Sequence, residues 1–140
     1  RFEVISKEPL VILDGAHNPP GALAAAQTLE SSFTLDGSRT LIVGMTEEKD
    51  ADWMLSNLNA REFDCIFTTE APSPRSMSSD DLALIASQYC SKTIISPNPE
   101  EALRKALKTS SPDGLIFGTG SMYVVGALRG ANQKFQSEQK

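Results

Sequence analysis

Four short stretches of the chain hold the residue types that can do chemistry. The densest is Asp14-Gly15-Ala16-His17-Asn18-Pro19-Pro20-Gly21, which contains the only histidine of the sequence. Asp14 follows the apolar run Leu10-Val11-Ile12-Leu13. Its carboxylate is therefore expected at a strand end, where it can accept hydrogen bonds from a ribose hydroxyl. Gly15 permits a turn that other residues resist. Asn18 suits a helix N-cap and Pro19 the first helical position. His17 is thus displayed just before a helix N-terminus, where free N–H groups and the dipole favour an anion by about 0.3–1 kcal/mol. The same Asp and His serve equally to tie the turn together with no ligand.

The other three stretches are weaker. Gly118-Thr119-Gly120-Ser121 lies between a strand pattern and a helix pattern. Its successive backbone N–H groups suit an anion-binding nest, with contacts from Thr119, Gly120 and the N-cap Ser121, or simply a tight turn. It is not a Walker A loop, because GxxxxGK[ST] occurs nowhere in the chain. In Gly44-Met45-Thr46-Glu47-Glu48-Lys49-Asp50, Lys49 can neutralise a phosphate and Asp50 can cap the next helix. In Thr69-Glu70-Ala71-Pro72-Ser73-Pro74-Arg75, Arg75 can grip a carboxylate or phosphate with two parallel bonds. Both read equally as solvated charged loops.

The elements between these stretches must bring them together. Phe2-Glu3-Val4-Ile5 alternates like a half-buried strand, and Leu10 to Leu13 is continuous, as for a strand covered on both faces. The four-residue link Ser6-Lys7-Glu8-Pro9 allows a hairpin and no crossover, so this pair is expected antiparallel. Helices are then expected over 19–31, 51–58, 80–89, 100–108 and 122–129. Strands alternate with them at 40–44, 65–68, 93–95 and 115–117. Trp53, Leu55 and Leu58 are expected to point inward, as are Leu82, Ile85, Ala86, Leu103 and Leu107. This rhythm predicts a three-layer, Rossmann-like α/β fold, mostly parallel, with one antiparallel N-terminal strand. In such sheets ligands sit beyond the carboxyl ends of the strands, the edge all four stretches share. Residues 1–130 are expected to form one domain and residues 131–140 a polar, frayed tail.

Composition narrows the function classes. With 140 residues, 40% hydrophobic and 22% charged, the chain can build one core without disulfides or metals. A net charge of −5 argues against sequence-independent nucleic-acid or anionic-membrane binding, though not against a nucleotide held at a local site. Cys65 and Cys90 belong to no CxxC or His/Cys cluster, so no metal centre is expected. Buried free thiols suggest a reducing, cytoplasmic setting. No apolar run approaches the length of a membrane span. The sequence opens at Arg1 almost directly in a strand pattern, as expected for a domain taken from a longer polypeptide.

Arg1-Phe2-Glu3, Asp14-Gly15-Ala16-His17-Asn18-Pro19, Lys49-Asp50, Pro74-Arg75 and Thr119-Gly120-Ser121, in this order, resemble folylpolyglutamate synthase/dihydrofolate synthase of the Mur ligase superfamily. The resemblance spans the chain, and the Asp-Gly-Ala-His-Asn-Pro motif is its specific element. It implies the C-terminal domain of an enzyme that uses ATP and Mg²⁺ to join glutamate to dihydropteroate or a folyl glutamate tail through an acyl phosphate. The P-loop and metal ligands then belong to an N-terminal ATPase domain that this chain lacks, and the chain alone is inactive. The resemblance assigns Arg1 to ATP phosphate, Asp14 to the ATP ribose, and His17 and Ser121 to the incoming glutamate, with His17 in the catalytic set. Two other readings remain. One is a Mur-type peptidoglycan-precursor ligase domain, against which Gly15-Ala16 argues. The other is a stand-alone, flavodoxin-like anion-binding module.

Overall fold

The computed structural model describes residues 2–139, so Arg1 and the role expected of it lie outside the described residues. Strand β1 (Phe2–Lys7) turns through Glu8 and a cis Pro9 into β2 (Leu10–Asp14), and the two are antiparallel. Then follow α1 (Pro19–Ser32), β3 (Arg39–Val43), α2 (Ala51–Asn57), a 3-10 turn at Ala60–Glu62, β4 (Cys65–Thr68) and α3 (Ser79–Ala86). The chain continues with β5 (Thr93–Ile95), α4 (Pro99–Thr109), β6 (Leu115–Thr119) and α5 (Met122–Glu138). The sheet order is β1-β2-β6-β3-β4-β5, and every pairing after the first is parallel. The mixed α/β sheet expected from the alternation of patterns is the one observed.

Residue parity explains the three layers. Neighbouring side chains on a strand point to opposite faces. Ile12, Leu41, Val43, Ile66 and Phe117 meet α1, α2 and α3 on one face. Val11, Leu13, Ile42, Phe67 and Ile116 meet α4 and α5 on the other. Both faces of the central strands are covered, which is why their sequences run apolar without a break.

Three expectations need correction. Trp53 is not a core residue; it is 61% exposed. The buried stripe of this segment is Ala51, Met54, Leu55 and Leu58, spaced i, i+3, i+4, i+7, and Trp53 falls outside it. The strand β6 runs through Gly118 and Thr119, so the loop after it is only Gly120-Ser121. The expected frayed tail is helix. Helix α5 continues to Glu138 and buries Ala131, Asn132 and Phe135 against α4 and β1. The Arg104 guanidinium lies over the Phe135 ring at 4.5 Å, Asn132 Nδ2 donates to Ile5 O at 3.3 Å, and Lys134 Nζ meets Glu100 at 3.0 Å. A polar composition hid an apolar stripe at helical spacing.

Candidate active site at the carboxyl edge of the sheet

All five parallel strands deliver their carboxyl ends to one edge. There β2 and β6 lie side by side, with Asp14 in register with Thr119. Asp14 is only 9% exposed, and its Oδ1 accepts a bond from Ala16 N at 2.8 Å. Asn18 caps α1 through its side chain, which accepts from Gly21 N at 2.9 Å, and Pro19 takes the first turn, as expected. His17 is exposed between these anchors. Its Nδ1–H donates to Gly15 O at 3.1 Å. A carbonyl can only accept, so this bond sets the tautomer and leaves Nε2 as the nitrogen available to a ligand.

Across the gap, Ser121 caps α5, its Oγ accepting from Tyr123 N at 3.0 Å. Gly120 has φ 111°, a conformation that favours glycine, and an added Cβ would run into Gly44 O. Position 120 is thus set by backbone geometry and by the close approach of the β3–α2 loop. Thr119 is different from the expectation. Its side chain is fully buried and its Oγ1 donates to Asp14 O at 2.7 Å, so it straps β6 to β2 and does not face an anion.

A pocket of about 210 Å³ opens on this edge, lined by His17, Lys49, Gly120 and Ser121 together with Thr46, Glu48, Met122 and Tyr123. Four of the residues singled out from sequence are therefore neighbours. Arg75 is not in the lining. Its guanidinium pairs with Glu48 Oε1 at 3.1 Å and is largely exposed. The two loops that carry this pair are clasped by a bridge between Thr46 and Ser76 and by Glu47 N donating to Arg75 O at 2.8 Å. The Glu48 carboxyl is held below the usual carboxylate range. Its own backbone N–H is the largest cause, the Thr46 hydroxyl comes next, partial desolvation opposes them, and Arg75 and Lys49 contribute less. Asp50 caps α2, accepting from Trp53 N at 3.0 Å.

Sequence reasoning missed Glu48, Thr46, Met122 and Tyr123 as parts of this wall. Glu48 and Thr46 sit in a stretch already quoted for Lys49, but nothing local says which way each points. Met122 and Tyr123 read as ordinary helix residues; their exposure, 62% and 58% in a first turn, is visible only in the folded molecule. The arrangement offers a cation at Lys49, the ring nitrogen Nε2 at His17, hydroxyls at Ser121 and Thr46, one carboxylate at Glu48 and an apolar flank. It suits a small ligand with both signs of charge. Among the described residues, no group of three or more His, Cys, Asp or Glu side chains is placed to hold a metal ion.

Residues 1–122 match the family described as Mur ligase, glutamate ligase domain. The chain belongs to that family. Among its relatives, a probable bifunctional folylpolyglutamate synthase/dihydropteroate synthase of Halobacterium salinarum is 31% identical over 130 residues, covering 92% of this chain and 16% of that protein. The folylpolyglutamate synthase of Lacticaseibacillus casei is 32% identical over 130 residues, covering 92% of this chain and 28% of the relative. The folylpolyglutamate synthase of Mycobacterium tuberculosis, solved with ADP and AMPPCP, superposes on this glutamate ligase domain with a TM-score of 0.83 at 29% identity, over 93% of this chain and 31% of that one. This glutamate ligase domain therefore spans less than a third of each of these proteins, and it matches a C-terminal domain of folylpolyglutamate synthases.

Proposed function

We propose that this chain is the C-terminal half of the active site of an ATP-dependent ligase that adds L-glutamate to dihydropteroate, to a folyl (poly)glutamate, or to both. The observation that carries the proposal is the meeting of His17 and Ser121 across one pocket, beside the strand end that bears Asp14. In the proposed reaction a substrate carboxylate oxygen attacks the γ-phosphorus of ATP, giving an acyl phosphate and ADP. The glutamate amine then attacks the acyl carbon, phosphate leaves, and the amine loses its proton.

The described residues support distinct parts of this scheme. Asp14 is held at a strand end, where a carboxylate can accept from the ATP ribose hydroxyls. His17 Nε2 and the Ser121 hydroxyl address the incoming glutamate, with Lys49 as a further anion contact. The catalytic share of His17 is positioning of the amine, an effect of orientation and not of new chemistry. Arg1 completes the set on the ATP phosphate by resemblance alone. Mg²⁺ accompanies ATP and supplies charge neutralisation of the phosphates; its ligands are assigned to the N-terminal ATPase domain. That domain is the proposed partner. Phe2, the first residue of β1, pairs with Asp14 at this edge, which suits a partner closing over it. The two buried free thiols, Cys65 and Cys90, support the cytoplasmic assignment, and the acidic charge balance supports a role without nucleic acid or membrane. None of the described helices is long and apolar enough to cross a membrane.

The test uses the full-length enzyme. ADP release should require both L-glutamate and either dihydropteroate or a reduced folate. The Asp14→Ala variant should raise the KM for ATP about tenfold or more with a smaller effect on the KM for glutamate. Release driven instead by a UDP-sugar peptide, or unchanged ATP kinetics in the variant, would remove the assignment.

A further inference from the structure

Glycine at position 15 has a reason that lies across the pocket. Turn geometry does not require it, because Gly15 has no positive φ, unlike Gly120. Space does. A Cβ built on Gly15 would overlap Met122 Sδ and would stand 3.6 Å from both Met122 Cγ and Met122 Cε. These three atoms are its nearest contacts, and all belong to one side chain. Met122 is the first residue of α5 and is 62% exposed, so no core packing holds its thioether in place. What seats it is the missing side chain of the opposing loop. Methionine is unbranched and adaptable, and it settles readily into such a gap.

The seat matters because of what it borders. Met122 and Tyr123 are the apolar members of a lining that otherwise consists of charged, hydroxylic and backbone groups. An acidic amino acid has charged ends joined by an apolar methylene stem. We infer that Met122 is the wall against which that stem packs, and that Gly15 is a positioning residue that sets the depth of the wall. This deepens the proposed ligase reading and rests on it. The length of the amino-acid side chain is then read by the thioether, while His17, Ser121 and Lys49 read its charges. Pockets that measure a stem this way discriminate by about 10- to 200-fold per methylene.

The experiment compares full-length wild type with Met122→Ala, Met122→Leu, Gly15→Ala and the double variant Gly15→Ala/Met122→Ala. L-Glutamate, L-aspartate and L-2-aminoadipate are the amine substrates. Met122→Ala should raise the KM for glutamate about tenfold with a much smaller change in kcat, and should improve aminoadipate relative to glutamate by a similar factor. Met122→Leu should restore most of the loss. Gly15→Ala should evict the thioether and reproduce the Met122→Ala pattern, and the double variant should be no worse than Met122→Ala alone. An unchanged glutamate KM and unchanged length preference in Met122→Ala would overturn the inference. So would effects of the two single substitutions that multiply in the double variant. If Gly15→Ala fails to fold, the Ala and Leu variants at position 122 decide the matter alone. A wild type without glutamate-dependent ADP release would instead sink the ligase reading itself, and this inference with it.

Discussion

At the scale of single residues, the site depends on which atom each side chain has left to offer. The bond from His17 Nδ1 to Gly15 O commits one ring nitrogen to the loop and leaves the other for the pocket. Amide substitutions can separate the two roles, because asparagine places a donor near the Nδ1 position and glutamine places a polar atom near Nε2. In the full-length enzyme, His17→Asn should keep the thermal midpoint close to wild type but raise the KM for glutamate at least tenfold. His17→Gln should keep the KM nearer to wild type. The reverse order of KM values would mean that Nδ1, not Nε2, meets the ligand. Thr119 shows the opposite economy. It resembles a ligand contact in sequence, yet its hydroxyl is spent on Asp14 O and its role is to hold two strand ends together. Glu48 was passed over, although it faces the pocket and pairs with Arg75.

At the scale of elements, the caps behave as their residue types dictate. Asn18, Asp50, Ser78, Asn98 and Ser121 each accept a backbone N–H in the first turn that follows. Helix α5 is where local reading failed. The polar composition after residue 130 suggested a frayed end, but an added Cβ at Gly126 or Gly130 would meet nothing within 4 Å, so both glycines lie on the outer face. The inner face, Val124, Val125, Leu128, Ala131 and Phe135, continues unbroken against α4 and the sheet. Phe135 is 8% exposed. Phe135→Ala should therefore cost about 3 kcal/mol, read as a lowered urea midpoint. A loss below about 0.5 kcal/mol would restore the frayed-tail reading, since surface substitutions fall in that range.

At the scale of the whole molecule, the proposed function makes this chain half of a site. His17, Lys49 and Ser121 line one pocket, Asp14 ends the neighbouring strand outside that lining, and no phosphate-cradling GxxxxGK[ST] loop accompanies them in the sequence. The isolated chain should therefore show no ligase activity. Mixing it with dihydropteroate, L-glutamate, ATP and Mg²⁺ should release no ADP above background, whereas the full-length protein should. Turnover by the isolated chain would refute the half-site reading.

The sequence by itself determined the elements, their order and the hairpin at the start, because periodicity, caps and link length are local properties of a chain. It also placed the Asp14 to Pro19 motif at the carboxyl end of a buried strand, where the structure has it. It did not determine which loops touch. Only the tertiary structure set β6 between β2 and β3, which brings Thr119 to Asp14 across 105 positions and Ser121 to the same pocket as His17. Strand order is a packing solution, and loop-closure entropy varies too slowly with length to dictate it from spacing alone. The same holds for Gly15. Its residue type was read as the sign of a turn, but Gly15 has no positive φ, and what its missing side chain makes room for is the Met122 thioether, which comes from the far end of the chain.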